Sequence, residues 1–214
     1  MSNLTVKGNA SGTGTVILEA PNTNTNRTIT LPDATATLAS TAYVDSSVAT
    51  AARMVAGTAV SSTSGTAIDF TGIPSWAKRV TVMLSGVSHN SAAGTRVKIL
   101  LGTSGGVETT SYSTSTLSNY NGSITTGSTF VDGIYLTASA YDTSAIIDGQ
   151  VVFSKLTGNT WALSGGISTS GVGPGPSFMG GVKTLSATLD RVRITTASGT
   201  DAFDAGTINI MYEG

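Results

Sequence analysis

Apolar and polar residues alternate with a period of two through much of this chain, as in Val80, Val82 and Leu84, in Val97, Ile99 and Leu101, and in Ile208, Ile210 and Tyr212. Successive side chains of a strand point to opposite faces, so each set describes one face turned toward a common core. Runs of this kind at 67–70, 79–84, 96–101, 133–137, 149–154, 160–164, 185–195 and 207–212 predict strands. Between them stand breakers, among them Gly72-Ile73-Pro74, Gly102-Thr103-Ser104-Gly105-Gly106, Asn121-Gly122, Gly158-Asn159 and Ala197-Ser198-Gly199. No helical interval separates the runs. Residues 58–214 are therefore expected to form a C-terminal antiparallel β-sandwich head, jelly-roll-like in connectivity. Two stretches, 109–129 and 168–177, are too polar or too rich in Gly and Pro to read as core strands, and are expected as exposed loops, where binding functions concentrate.

The pattern changes toward the N-terminus. Residues 1–39 alternate Thr with apolar residues in Thr15-Val16-Ile17-Leu18, Thr28-Ile29-Thr30-Leu31 and Ala34-Thr35-Ala36-Thr37-Leu38, broken by Gly12-Thr13-Gly14, Pro21-Asn22 and Pro32-Asp33. Short strands joined by tight turns are predicted, yet a segment of fewer than about 40 residues buries too little surface to stand alone. With no Cys to staple it, the segment is expected to wind around identical copies as an intertwined β-stalk. Residues 40–57 carry the one helical pattern. Ser40 or Thr41 can serve as N-cap, Asp45 falls in the first turns and Gly57 offers a stop. Val44, Val48, Ala51 and Val55 recur at coiled-coil spacing and are the expected seam of a short self-associating bundle, with a linker helix packed on its own domain as the alternative.

Composition sharpens this picture. Charged residues make up only 11% of the chain, against the usual quarter or so, and Ser, Thr, Asn and 26 Gly carry its polarity. Thr suits a pleated surface, while Gly and Asn reach the positive φ that turns need. Mean hydropathy is positive, yet no apolar run reaches the roughly 18 residues of a membrane-spanning helix. No signal peptide is expected at Met1-Ser2-Asn3-Leu4-Thr5-Val6-Lys7. A mildly apolar surface without a membrane span is expected to be covered by copies of the same chain. The basic residues are scattered, with no cluster beyond Lys78-Arg79 and Arg191-Val192-Arg193, so no nucleic-acid footprint is expected.

The residue inventory argues against catalysis. There is no Cys and a single histidine, His89, in a Ser88-His89-Asn90-Ser91 context that reads as a solvated turn. No Gly-x-Ser-x-Gly elbow is present, and zinc has no ligand set. Asp201 with Asp204, and Asp142 with Asp148, lack the spacing of a calcium loop and read as turn caps. Gly171-Val172-Gly173-Pro174-Gly175-Pro176 lacks the Lys-Ser/Thr of a phosphate loop. No cofactor or metal is expected. Trp76 and Trp161 are expected in the core. Tyr112, Asn119, Tyr120 and Asn121, in the polar stretch 109–129, are the candidate receptor contacts: rings to stack on a sugar, amides to hydrogen-bond it.

Several segments resemble the fibre proteins of tailed bacteriophages. Within residues 4–38, Leu-Thr-Val-Lys-Gly, Gly-Thr-Val-Ile-Leu-Glu-Ala-Pro and Arg-Thr-Ile-Thr-Leu-Pro-Asp are similar to shaft-proximal fibre sequence. The stretches 68–86, 101–108, 189–196 and 201–212 look like the C-terminal β-domain of phage tail proteins. The resemblance implies a virion component, usually homotrimeric, attached to other tail or capsid proteins through its N-terminal segment. Its C-terminal domain would point outward toward a host-surface glycan. Tail fibre is the first reading. A head fibre or capsid decoration, a small polysaccharide-degrading fibre enzyme and an architectural tail adaptor remain open beside it.

Overall fold

The computed structural model describes residues 53–171 and 173–214, without the side chains of 125–127, together with 10–15, 17, 22 and 24–26. The chain divides into two units, Met1–Ser40 and Thr41–Gly214, and every described strand belongs to the second. The expected stalk and most of the expected helix, including Val44, Val48 and Ala51, lie outside the described residues.

The described residues are all-β, without a helix. Their strands are β1 (Met54–Ala56), β2 (Val60–Ser61), β3 (Ala67–Thr71), β4 (Arg79–His89), β5 (Val97–Thr103), β6 (Gly106–Val107), β7 (Tyr112–Tyr120), β8 (Ser123–Phe130), β9 (Ile134–Tyr135), β10 (Ile146–Thr157), β11 (Thr160–Ser170), β12 (Gly175–Thr184), β13 (Arg191–Thr196) and β14 (Phe203–Glu213). Two antiparallel sheets result. The larger runs β1-β14-β4-β10-β11-β12-β7-β8, with β2 also pairing β14; the smaller runs β3-β13-β5-β6, with β9 pairing β5.

The alternation predicted from sequence sets what the sheets bury. Val80, Val82, Ile208, Ile210, Val151, Phe153 and Leu163 from the large sheet share one core with Ile68, Phe70, Val97, Ile99, Leu101, Val192 and Ile194 from the small one. Each such side chain contributes on the order of 1.5–3 kcal/mol by leaving water. Trp161 joins this core as expected, whereas Trp76 is only half-buried and packs against its rim.

Three expectations require correction. The stretch 109–129 is not a loop but the β7–β8 hairpin, and 168–177 is the turn between β11 and β12 with the ends of those strands. On β7 the inward positions are Tyr112, Thr114, Thr116 and Ser118, so hydroxyls stand where alternation would show hydrophobes. They are satisfied by the backbone of the crossing segment that contains β9. Thr114 donates to the Gly133 carbonyl at 2.9 Å, Thr116 to that of Tyr135 at 2.6 Å, and Ser118 accepts the Ala138 N–H at 2.8 Å. Second, the helix expected over 40–57 does not reach its predicted end, because Val55 sits in β1, paired with Tyr212. Ladder bonds to β14 replace helical ones there, and the Gly57 N–H donates to the Ile210 carbonyl at 2.7 Å. Gly57, expected as a helix stop, is required for a different reason: a Cβ there would come within 2.7 Å of the Ile210 side chain. Third, His89 is not solvated but 1% exposed, at the end of β4.

Candidate functional site

Strand register gives the domain two distinct ends. Met54 lies opposite Glu213, Glu213 opposite Arg79 and Arg79 opposite Ser154, so β1 lies beside the end of β14 and the β10–β11 turn. At the other end of the same strands lie Ile146, Ser170 and Gly175, with Tyr120 just beyond Ser118 and its partner Ser177. β10 has 12 residues, which at roughly 3.3 Å each separates the ends by about 36 Å.

The Tyr120 end is built by turn chemistry. Tyr120 pairs with Ser123, and between them Asn121 and Gly122 take φ of 48° and 81°, the two positive values of a tight hairpin turn whose twist suits its strands. The Tyr120 ring lies against that of Tyr141, centroids 5.7 Å apart and planes at 38°. The β11–β12 turn closes beneath this pair. Gly173, at φ 65°, passes so near that a Cβ would collide with the Tyr120 ring. The Thr169 hydroxyl holds that turn, 3.1 Å and 3.0 Å from the carbonyls of Gly173 and Gly175. Two buried polar atoms here, Asn119 Oδ1 and the Tyr141 hydroxyl, have no hydrogen-bond partner among the described residues. Unmet buried groups typically cost about 1–3 kcal/mol each.

The outer surface beside this tip is apolar. Leu117 of β7 faces Phe178 of β12 in register, and Ile124 of β8 faces Asn119. Leu117, Ile124 and Phe178 are 40%, 69% and 60% exposed, and with Pro176 they line a shallow hollow of about 130 Å³ without a charged side chain. Such a patch, flanked by an amide and by Asn121, suits a neutral ligand offering apolar faces and hydroxyls, as sugars do. Leu117, Ile124, Pro176 and Phe178 were not singled out in the sequence. One signal was present: Leu117 follows Ser113 and Ser115 at the outward positions of β7, but it shows only once β7 is read as a strand.

Of the predicted contacts, Asn119, Tyr120 and Asn121 gather at this end, and Tyr112 does not. Tyr112 begins β7 at the opposite end, roughly 26 Å from Tyr120 over a nine-residue strand, and is 3% exposed. Its phenol accepts the Leu101 N–H at 2.8 Å and donates to the Glu108 carbonyl at 2.9 Å, and burial pushes its pKa well up. Above its ring, 4.9 Å away, stands the ammonium of Lys183, which is 2.7 Å from Glu108 and 2.9 Å from the Thr110 carbonyl. Tyr112 is a tie between the sheets, with no face to offer a ligand.

The carboxylates near the Tyr120 end act locally. Asp142 accepts from the N–H and hydroxyl of Ser144 at 2.9 and 2.6 Å, Asp201 from the Ser198 hydroxyl at 2.6 Å, and Asp204 from the Ser88 hydroxyl. Burial lowers the His89 pKa, against the opposing pull of Asp201 and Asp204, and its Nδ1 accepts the Ser91 N–H at 3.3 Å. Among the described residues, no group of three or more His, Cys, Asp or Glu side chains is placed to hold a metal ion. No family model, no curated protein and no solved structure matches the chain.

Proposed function

We propose that this chain is a structural fibre protein of a tailed-phage virion, first of all a tail fibre, whose C-terminal domain contacts the host surface with its Tyr120 end. The observation that carries the reading is the division of labour between the two ends of the domain. At one end lies Arg53, the first residue described in this unit, whose carbonyl accepts the Gly214 N–H at 3.0 Å. A strand length away lie Asn119, Tyr120, Asn121 and the Leu117–Phe178 patch. An attachment protein needs this polarity, tethered at one end and recognising at the other. The ligand is a neutral host-surface glycan, with Tyr120, Phe178 and Leu117 supplying apolar faces and Asn119 and Asn121 the hydrogen bonds. The same proposal includes a homotrimer, an intertwined stalk over 1–39 joined to other virion proteins, a short helix seamed by Val44, Val48 and Ala51, and a jelly-roll-like head.

The test is adsorption of the labelled full-length protein to a panel of bacterial strains. Phe178→Ser combined with Ile124→Ser should lower cell binding at least tenfold at unchanged melting temperature, since exposed substitutions shift stability by less than about 0.5 kcal/mol each. Sedimentation should give three copies. Unchanged binding would remove this surface, and binding to no strain would favour capsid decoration or a tail adaptor. A stable monomer would end the trimer proposal.

A further inference from the structure

A bulge in β8 lies beside the hollow at the Tyr120 end. Thr116 pairs with Ser128 and Ser118 with Thr125, so β8 advances three residues where β7 advances two. An extra residue of this kind bends its strand and re-aims the side chains next to it. Ile124, just past the bulge, stands 69% exposed and opposite Asn119. Leu117 and Phe178 face each other beside it, and Pro176, near the start of β12, completes the apolar wall.

The two polar side chains that line the hollow, Ser118 and Asn119, are unequally engaged. The Ser118 hydroxyl lies 2.6 Å from that of Ser177 and accepts the Ala138 N–H at 2.8 Å. Asn119 Oδ1 is shielded from water and accepts from no donor among the described residues. A buried acceptor left empty carries a desolvation cost that an arriving donor removes. At about 130 Å³ the hollow is well below the roughly 300–1,000 Å³ of pockets that enclose a whole small molecule. It takes a substituent, not a sugar ring. That substituent needs an apolar end for the walls and a donor beside it for Asn119. A hydroxyl brings the donor without the apolar end, a deoxy-sugar methyl brings the apolar end without the donor, and an ammonium meets no carboxylate in the lining.

We infer that the hollow receives the acetamido group of an N-acetylated amino sugar, its methyl seated among Leu117, Ile124, Pro176 and Phe178 and its N–H donated to Asn119 Oδ1 as that amide turns toward it. One planar group then supplies both the methyl and the donor, at a fixed spacing. Its carbonyl stays at the open rim, within reach of water and of the exposed Asn121. The inference rests on the reading of the Tyr120 end as a glycan-binding surface, and adds to it the substituent that selects the glycan.

The experiment is isothermal titration of the full-length chain with three disaccharides of one backbone: N,N′-diacetylchitobiose, its deacetylated form chitobiose, and cellobiose, which carries hydroxyls at the same positions. The diacetylated form should bind at least about tenfold more tightly than either of the others. Asn119→Ala should bring that preference below about threefold at unchanged melting temperature, because the oxygen it removes has no partner in the empty protein. Ile124→Ser, at an exposed position, should weaken the diacetylated form at least about fivefold and leave cellobiose within about twofold. Equal binding of the acetamido and hydroxyl disaccharides, or a preference that survives both substitutions, overturns the assignment. Failure to bind any of the three overturns it as well. Cell adsorption separates that failure from failure of the underlying reading. Adsorption that falls with Phe178→Ser and Ile124→Ser together keeps the Tyr120 end as a glycan-binding surface of other specificity, and adsorption that does not fall removes both.

Discussion

The Tyr112 hydroxyl, carried by the large sheet, accepts the backbone N–H of Leu101 in the small sheet at 2.8 Å. One phenol thus bridges the two layers at a point where both partners are buried. It also donates to the Glu108 carbonyl at 2.9 Å, so donor and acceptor functions are both engaged.

Tyr112→Phe keeps the ring and leaves the Leu101 N–H without its acceptor. A loss of about 1–3 kcal/mol in urea denaturation is expected, while Tyr112→Ala should cost about 3–5 kcal/mol because a cavity is added. Neither substitution should alter cell adsorption at temperatures where the protein is folded. Reduced adsorption by folded Tyr112→Phe would return this residue to the binding surface.

Lys183 is 2% exposed and depends on Glu108 for its counter-charge. Glu108→Gln should therefore destabilise by about 3 kcal/mol or more, and Lys183→Met by less, since Glu108 keeps contact with water. Burial works to raise the Glu108 pKa, but hydrogen bonds from Lys183 and from the N–H and hydroxyl of Ser186 outweigh it and hold the carboxyl below its ordinary range. A folded-state pKa below the unfolded one means stability is full above about pH 4.5 and declines as pH falls through the folded value. Denaturation from pH 6 to pH 3 should show that decline, and it should be shallower in the Lys183→Met variant.

His89 makes a separate contribution at higher pH. Burial lowers its pKa in the folded state, so the unfolded chain takes up a proton first as pH falls below about 6.5. Stability should rise with pH through that window and level off above it. His89→Gln should remove this part of the slope whatever its effect on absolute stability. An unchanged slope between pH 5 and pH 7 would mean that the histidine is neutral in neither state or in both alike.

Gly173→Ala tests the frame of the tip. The positive φ of 65° disfavours any side chain, and the new methyl would strike the Tyr120 ring. Gly122→Ala, at φ 81° in open space, serves as the control, with a strain cost of about 1–2 kcal/mol and little movement of Tyr120. Gly173→Ala should cost more than the control and lower cell adsorption beyond it.

Within the described residues, the sequence by itself determined the β class and the strands whose inward positions are apolar, because a period of two in Val, Ile and Leu is a local signal of a buried face. Residues 79–84, 96–101 and 207–212 were legible for that reason, although the strands Arg79–His89 and Phe203–Glu213 run on into residues that read as turns. Tertiary structure alone decided β7, β8 and β12, since Thr114, Thr116 and Ser118 are buried by hydrogen bonds to a segment more than a dozen residues away, which no local pattern encodes. Asn121-Gly122 did announce a hairpin, but its polar flanks hid the strands. Asn119, Tyr120 and Asn121 were legible as a cluster because they are contiguous. Their joining with Tyr141, Pro176 and Phe178 and the removal of Tyr112 to the far end of the strand depend on sheet register. Register is fixed by pairing between distant segments, and a one-residue slip would turn every one of these side chains to the other face.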